Sequence, residues 1–93
     1  MAIQNFSNRD LEALFHSGRS ARIQPPAARK KLLSLMDLLE YATNLGDFQR
    51  VSHFHALRGN RRGSYAFHVT ANWRLTFKFR DGDAYDLDYE DYH

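Results

Sequence analysis

The sequence predicts an α+β fold: two N-terminal helices packed on one face of an antiparallel sheet of three to five strands. Two observations predict it. Up to about residue 43, apolar residues recur at helical spacing. From residue 64 onward they alternate with polar ones at the period of two that a half-buried strand requires. A chain of 93 residues suits one domain spanning 1–93, and its 43% hydrophobic content is enough for one modest core.

Residues 2–6 read as a short edge strand. Ser7 is the expected N-cap of the first helix, with Asp10 three residues on and Leu11, Leu14 and Phe15 on one face. Gly18 stops it. A basic loop to Gln24 follows, and Pro25-Pro26 opens a second helix expected over about 27–43. Its apolar stripe is Ala28, Leu32, Leu35, Met36, Leu39 and Ala42, and Asn44 or Gly46 ends it. Arg29, Lys30 and Lys31 crowd its first turn, where the helix dipole favours acids. Such a local conflict can mark a functional surface.

In the second half, Tyr65, Phe67 and Val69 form one alternating set. Trp73, Leu75, Phe77 and Phe79 form another, and Tyr85, Leu87 and Tyr89 a third. A less regular fourth strand is expected within 51–57. Residues paired across antiparallel strands share a face, which tests the turns. A two-residue Asp81-Gly82 turn would set Phe77 against Asp86. A three-residue loop, Arg80-Asp81-Gly82, sets Phe77 against Tyr85, Leu75 against Leu87 and Arg74 against Asp88, with Gly82 left-handed. By the same logic Thr70-Ala71-Asn72, with Asn72 left-handed, pairs Phe67 with Leu75 and His68 with Arg74. The aromatic face then packs on the helices. The other face carries His68, Arg74, Thr76, Lys78, Asp86 and Asp88.

Composition excludes several classes. The chain has no cysteine, so disulfides and thiolate metal sites are out. Histidine spacing matches no zinc motif, no Gly-rich phosphate loop follows a strand, and no metal or other cofactor is expected. No apolar run is long enough for a membrane span, and the N-terminus does not read as a signal peptide, so a cytoplasmic location is the expectation. The net charge of +2 conceals a division. All 13 Lys and Arg lie within residues 1–80, against Asp10, Glu12, Asp37, Glu40 and Asp47, whereas the other acids fill residues 81–93. A basic body suits a polyanion such as RNA, although small proteins are also basic for solubility alone.

Three groups carry potential chemistry. The stretch from His53 to Gly63 holds two His and three Arg, and its glycines allow close backbone approach; a solvated basic turn has the same composition. Arg74 projects from the polar face of a strand, where a guanidinium can clamp a phosphate or pair with an acid across the sheet. Alternation puts the neighbouring Trp73 with the core residues rather than on a base-stacking platform. The terminal Tyr89-Glu90-Asp91-Tyr92-His93 is an ionisable cluster, or else a solvated end. RNA cleavage by its own 2′-OH needs a base, an acid and a cation, which these residue types supply without a metal.

The order of these segments resembles the HigB-type toxins of the RelE-like family. Two helices are followed by the His55-x-Leu57-x-Gly59 loop, Ala71-Asn72-Trp73-Arg74-Leu75-Thr76-Phe77, Gly82-Asp83-Ala84-Tyr85 and the terminal Asp91-Tyr92-His93. The resemblance runs from Ile3 to His93, and its most specific parts are Asn72-Trp73-Arg74 and the last three residues. It implies a RelE-like fold with a curved sheet. It implies a ribosome-dependent, metal-independent mRNA endoribonuclease acting in the ribosomal A site. It also implies a HigA-like helix-turn-helix antitoxin as partner. Carried over by position, the family's active-site residues fall on His55, Arg74, Asp91, Tyr92 and His93. Ala56 stands where Pro is frequent in the family, and Arg58 where Lys would serve equally. Charge alone nominates Arg58, Arg61, Arg62, Arg19, Arg22, Arg29, Lys30 and Lys31 for RNA or ribosome contact. Two other readings stay open: a relative that acts on a protein such as gyrase, and an inactive module that only binds the antitoxin.

Overall fold

The structure is a computed structural model and describes residues 2–91. Helix α1 spans Arg9–Ser17 and α2 spans Pro26–Tyr41. Strands β1 (His55–Ala56), β2 (Ser64–Thr70), β3 (Trp73–Arg80) and β4 (Asp83–Asp91) form an antiparallel sheet in that order. Short 3-10 turns cover Leu45–Phe48 and Gly59–Arg61. The α+β class and helix–sheet order match the sequence reading. No helix among the described residues is long and apolar enough to cross a membrane.

The caps shift by a residue or two from expectation. Asn8, not Ser7, caps α1, its side chain accepting from the Leu11 amide at 2.9 Å. Helix α2 ends at Tyr41 because Ala42 turns extended. Asn44 and Asp47 then start a separate turn, with the Asp47 carboxylate accepting from the Thr43 and Asn44 amides. The predicted stripe of α2, Ala28 through Ala42, is buried throughout. It packs with Leu11 and Leu14 of α1 against Phe67, Leu75, Phe77 and Leu87.

Phe48, which no periodicity flagged, is the hub of this layer. It is fully buried, and its ring meets those of Phe54, Phe67, Phe77 and Phe79 at centroid distances of 5.1–5.7 Å. Such tilted and edge-on contacts add to the area each ring buries.

The turn between β3 and β4 is the two-residue one that the sequence reading rejected. Asp81 and Gly82 both take positive φ (54° and 83°), and Arg80 pairs with Asp83. This matches the twist of paired strands. The misfit that argued against it is absorbed by a bulge. The register shifts between Thr76 and Lys78, where Asp86 sits at φ 54°. Beyond the bulge Leu75 faces Tyr89, not Leu87, and Arg74 faces Glu90, not Asp88. Asn5 holds the bulge from the side: its Oδ1 accepts from the Asp86 amide at 3.1 Å, and its Nδ2 donates to Asp86 Oδ1 at 2.6 Å. At the other turn the predicted pairs Phe67–Leu75 and His68–Arg74 do form. There the positive φ falls on Ala71 (48°) rather than Asn72, because Thr70 pairs with Trp73 and leaves a two-residue turn.

Residues 2–6 run alongside β4 through parallel bridges, Ile3 to Ala84 and Phe6 to Leu87. They cover the sheet edge with hydrogen bonds such as Gln4 N–H to the Ala84 carbonyl at 2.8 Å.

Two stability predictions follow from this packing. Phe48→Ala is expected to cost about 3–5 kcal/mol in urea unfolding, the range for removing a buried aromatic ring. Asn5→Ala is expected to cost about 1 kcal/mol by the same measurement, since the bonds it makes are exposed.

Candidate active site

The sheet face away from the helices is built in rows. Cross-strand pairing sets His68, Arg74 and Glu90 in one row, and His55, Ala66, Thr76 and Asp88 in the next. Arg74 is thus flanked by an imidazole on one side and a carboxylate on the other, on the central strands of the sheet. It is half-buried, which limits the conformations of its long side chain.

The loop between β1 and β2 folds back over this face. Arg61 donates to both oxygens of Glu90, at 2.7 and 2.8 Å, and the Thr76 hydroxyl donates to Glu90 Oε2. This clamp explains why Ser64, Ala66 and Thr76 are buried on a face expected to be open. The two hydrogen bonds from Arg61 and the one from Thr76, with the nearby charges of Arg61 and Arg74, bring the Glu90 carboxyl down to about 2 against the opposing effect of burial. Glu90 is therefore ionised at neutral pH and is a poor base.

His68 is held toward its neutral form, first by burial and then by the positive charges of Lys31 and His53. Its ring meets that of His53 edge-on at 5.8 Å. Its backbone is fixed by Ser52, whose carbonyl accepts the His68 amide and whose hydroxyl donates to the His68 carbonyl.

His55 is exposed on the edge strand. Its Nδ1 lies 2.9 Å from the His53 carbonyl. A carbonyl can only accept, so this bond places the proton on Nδ1 and leaves Nε2 as the free lone pair. His55 and Arg74 lie two strands and one row apart, about 12 Å at ordinary strand spacing and rise. They share the face that the helices leave open. Asp91 ends β4 across from Trp73. Alternation sets it on the Trp73 side of the sheet rim, outside Arg74's row. Tyr92 and His93 lie outside the described residues.

The basic residues divide. Arg58 and Arg62 are exposed beside the turn at Gly59–Arg61, where Gly59 (φ 68°) and Gly63 (φ 92°) take the left-handed backbone that glycine permits. Arg19, Arg22 and Lys30 are exposed, and Lys31 is half-buried near His68. Arg61 is committed to Glu90. Arg29 donates to the Ile23 carbonyl at 2.7 Å, which gives the cation in α2's first turn a structural task. Among the described residues, no three of His, Asp and Glu converge as a metal site.

Residues 4–93 match the family model described as the RelE-like toxin of the type II toxin–antitoxin system HigB. The chain belongs to this family. It is similar to Endoribonuclease HigB of Proteus vulgaris, 37% identical over 92 residues, covering 98% of this chain and 99% of that one. A type II toxin has an antitoxin for partner, and the HigB-like fold accounts for the layered arrangement above.

Within this HigB-like toxin, sequence reasoning missed two features of the site. It placed His68 on the polar face but gave it no role. It counted Glu90 in the terminal ionisable cluster but named it no active-site residue, and its register put Asp88, not Glu90, opposite Arg74. The Arg61–Glu90 pair joins residues 29 apart, and local patterning carries no signal for it. Glu90→Gln tests the clamp. The lowered carboxyl of Glu90 contributes stability that is full above about pH 4.5 and is lost as the pH falls toward about 2. The stability gap between wild type and Glu90→Gln is expected to be largest at neutral pH and to close as the pH approaches 2, measured by denaturant unfolding across that range.

Proposed function

We propose that this chain is an endoribonuclease that cuts mRNA in the A site of the translating ribosome, with Arg74 gripping the scissile phosphate. The observation that carries the reading is the position of Arg74: on a central strand, half-buried, in a row with His68 and Glu90 on the face that the helices leave open. A guanidinium held there reaches two phosphate oxygens in parallel and stabilises the charge that builds in the transition state.

The reaction is in-line attack by the RNA's own 2′-OH. A base removes the 2′-OH proton as the oxygen bonds to phosphorus. The bond to the 5′-oxygen breaks, and an acid returns a proton to that oxygen. The products are a 2′,3′-cyclic phosphate and a 5′-hydroxyl, and no metal enters the scheme. His55, with Nε2 free and exposed, is one proton-transfer group. Asp91, at the rim, and His93 are the others. Tyr92 stacks on a base or orients its neighbours. His68, favoured neutral beside Arg74, leaves the positive charge of this row to the guanidinium. Arg58, Arg62, Arg19, Arg22, Lys30 and Lys31 meet ribosomal RNA, and Arg61 does so only with the donors that Glu90 leaves open. The ribosome supplies the orientation of the mRNA, so the free protein is a weak nuclease. The cognate antitoxin is a HigA-like helix-turn-helix protein, and the toxin acts in the cytoplasm.

The test is 5′-end mapping of mRNA in translating extracts. Wild type is expected to produce codon-aligned ends. Arg74→Ala, with an unchanged circular dichroism spectrum, is expected to cut at least about a hundredfold more slowly, the scale for losing one transition-state donor. Cleavage by the folded variant at the wild-type rate would remove Arg74 from the mechanism. DNA damage in cells without mRNA cuts would favour a gyrase-type target instead.

A further inference from the structure

On the open face, Glu90 stands directly opposite Arg74 across the β3–β4 pair. Residues so placed share a face and hold their Cβ atoms about 5 Å apart. On the other face the same stretch is held by rings. Trp73 was expected in the core, yet it remains half-exposed and stacks on Tyr89 at 4.6 Å, with the planes 22° apart. Trp73 and Arg74 are successive residues, as are Tyr89 and Glu90, so the stack on one face fixes the register on the other. The scheme above gives Glu90 no part.

The contacts of Glu90 are specific. A carboxylate offers about four acceptor positions, two on each oxygen. Arg61 takes one on Oε1 at 2.7 Å and one on Oε2 at 2.8 Å, and the Thr76 hydroxyl takes the second on Oε2. A two-point pair between Glu90 and a second guanidinium is therefore closed off. Yet the charge of Arg74 is one of the causes that keep Glu90 ionised, so the two groups act on each other across the pair. That attraction orients Arg74. Arg61 stops it from becoming a two-point pair that would compete with a phosphate. Two cations and one anion, Arg61, Arg74 and Glu90, still leave a net positive charge for the phosphate.

We infer that Glu90 is a positioning residue for cleavage: its carboxylate, held by Arg61 and Thr76, keeps the Arg74 guanidinium in its reactive orientation without closing a two-point pair on it. The role rests on the endoribonuclease reading for its reaction, whereas the orientation of Arg74 can be measured without cleavage.

The first measurement is NMR on the full chain. The Arg74 Nε is shielded from water, so its N–H gives a slowly exchanging signal, assigned by its loss in Arg74→Lys. Glu90→Gln is expected to move or broaden that signal. The second measurement is single-turnover cleavage on ribosomes programmed with mRNA. Glu90→Gln is expected to lower the rate at saturation by at least about tenfold, as misplacing a reacting group does, and to change the half-saturating concentration by less than about twofold. A charge swap, Arg61→Glu with Glu90→Arg, separates positioning from pinning of the loop. It restores an ion pair between loop and strand but sets a cation opposite Arg74, so the rate at saturation stays at least about tenfold down. An unmoved Nε–H signal, an unchanged rate in Glu90→Gln, or wild-type cleavage by the swapped chain would each overturn the role. If the swapped chain does not fold, Glu90→Gln, an amide of nearly the same shape, decides alone. The two readings fail separately. A signal moved by Glu90→Gln, with no mRNA cleavage by wild type, removes the nuclease and leaves Glu90 orienting Arg74. Wild-type cleavage with the signal unmoved removes Glu90 alone.

Discussion

The one-residue bulge at Asp86 decides where every side chain on the last strand points. Strand side chains alternate, so a single extra residue sends all that follow to the opposite face. Before the bulge, Ala84 is buried beside Phe79; after it, Leu87 is still buried and Glu90 stands opposite Arg74. Without it, a two-residue turn would carry Leu87 out of the core and put Asp86 against Phe77. Asn5 holds this geometry from a neighbouring segment, with both ends of its amide engaged by Asp86. The arrangement around Arg74 is therefore fixed in part by a residue that takes no part in the chemistry.

Given that register, the electrostatics of the face follow. Glu90 is shared between the bidentate Arg61 and the nearby Arg74, and the Thr76 hydroxyl completes its shell. A partly buried carboxylate with such partners stays charged and fixes the groups around it. The loop that carries Arg61 is thereby tied to β4 across the sheet. A cation-rich chain thus keeps an acid beside its central arginine without losing order there.

Much of the fold was legible in the sequence because it was written in periods. The stripe of α2 is a one-dimensional signal of burial and matched throughout, and in β2 and β3 the alternation found Phe67, Val69, Leu75 and Phe77 but not the burial of Ser64, Ala66 and Thr76 on the other face. The pair His68–Arg74 was legible from matching faces across the sheet, although the turn has two residues and a register shift between His68 and Thr70 restores the pairing. What failed was local bookkeeping that depends on distant partners. The bulge at Asp86 answers to Asn5, 81 residues away. Phe48 sits in a short turn with no period to flag it. The Arg61–Glu90 clamp joins a loop to a strand that alternation alone does not bring together. Trp73 was assigned correctly to its face, but a face assignment says nothing about whether the packing over it closes. Of the last three residues, Asp91-Tyr92-His93, only Asp91 falls among the described residues, and its register sets it at the rim rather than in Arg74's row.

The hydrogen bonds between residues 2–7 and β4 also constrain the order of assembly. A ribosome makes a chain from its first residue onward, and these early residues find their partners only when positions 84–87 emerge. Until then the opening segment has no strand to lie against and the bulge has no Asn5 to brace it. Contacts this far apart in sequence slow folding, since a long loop must close before they form. A partly synthesised chain would thus be unable to complete the sheet face that carries Arg74 until positions 84–87 had emerged.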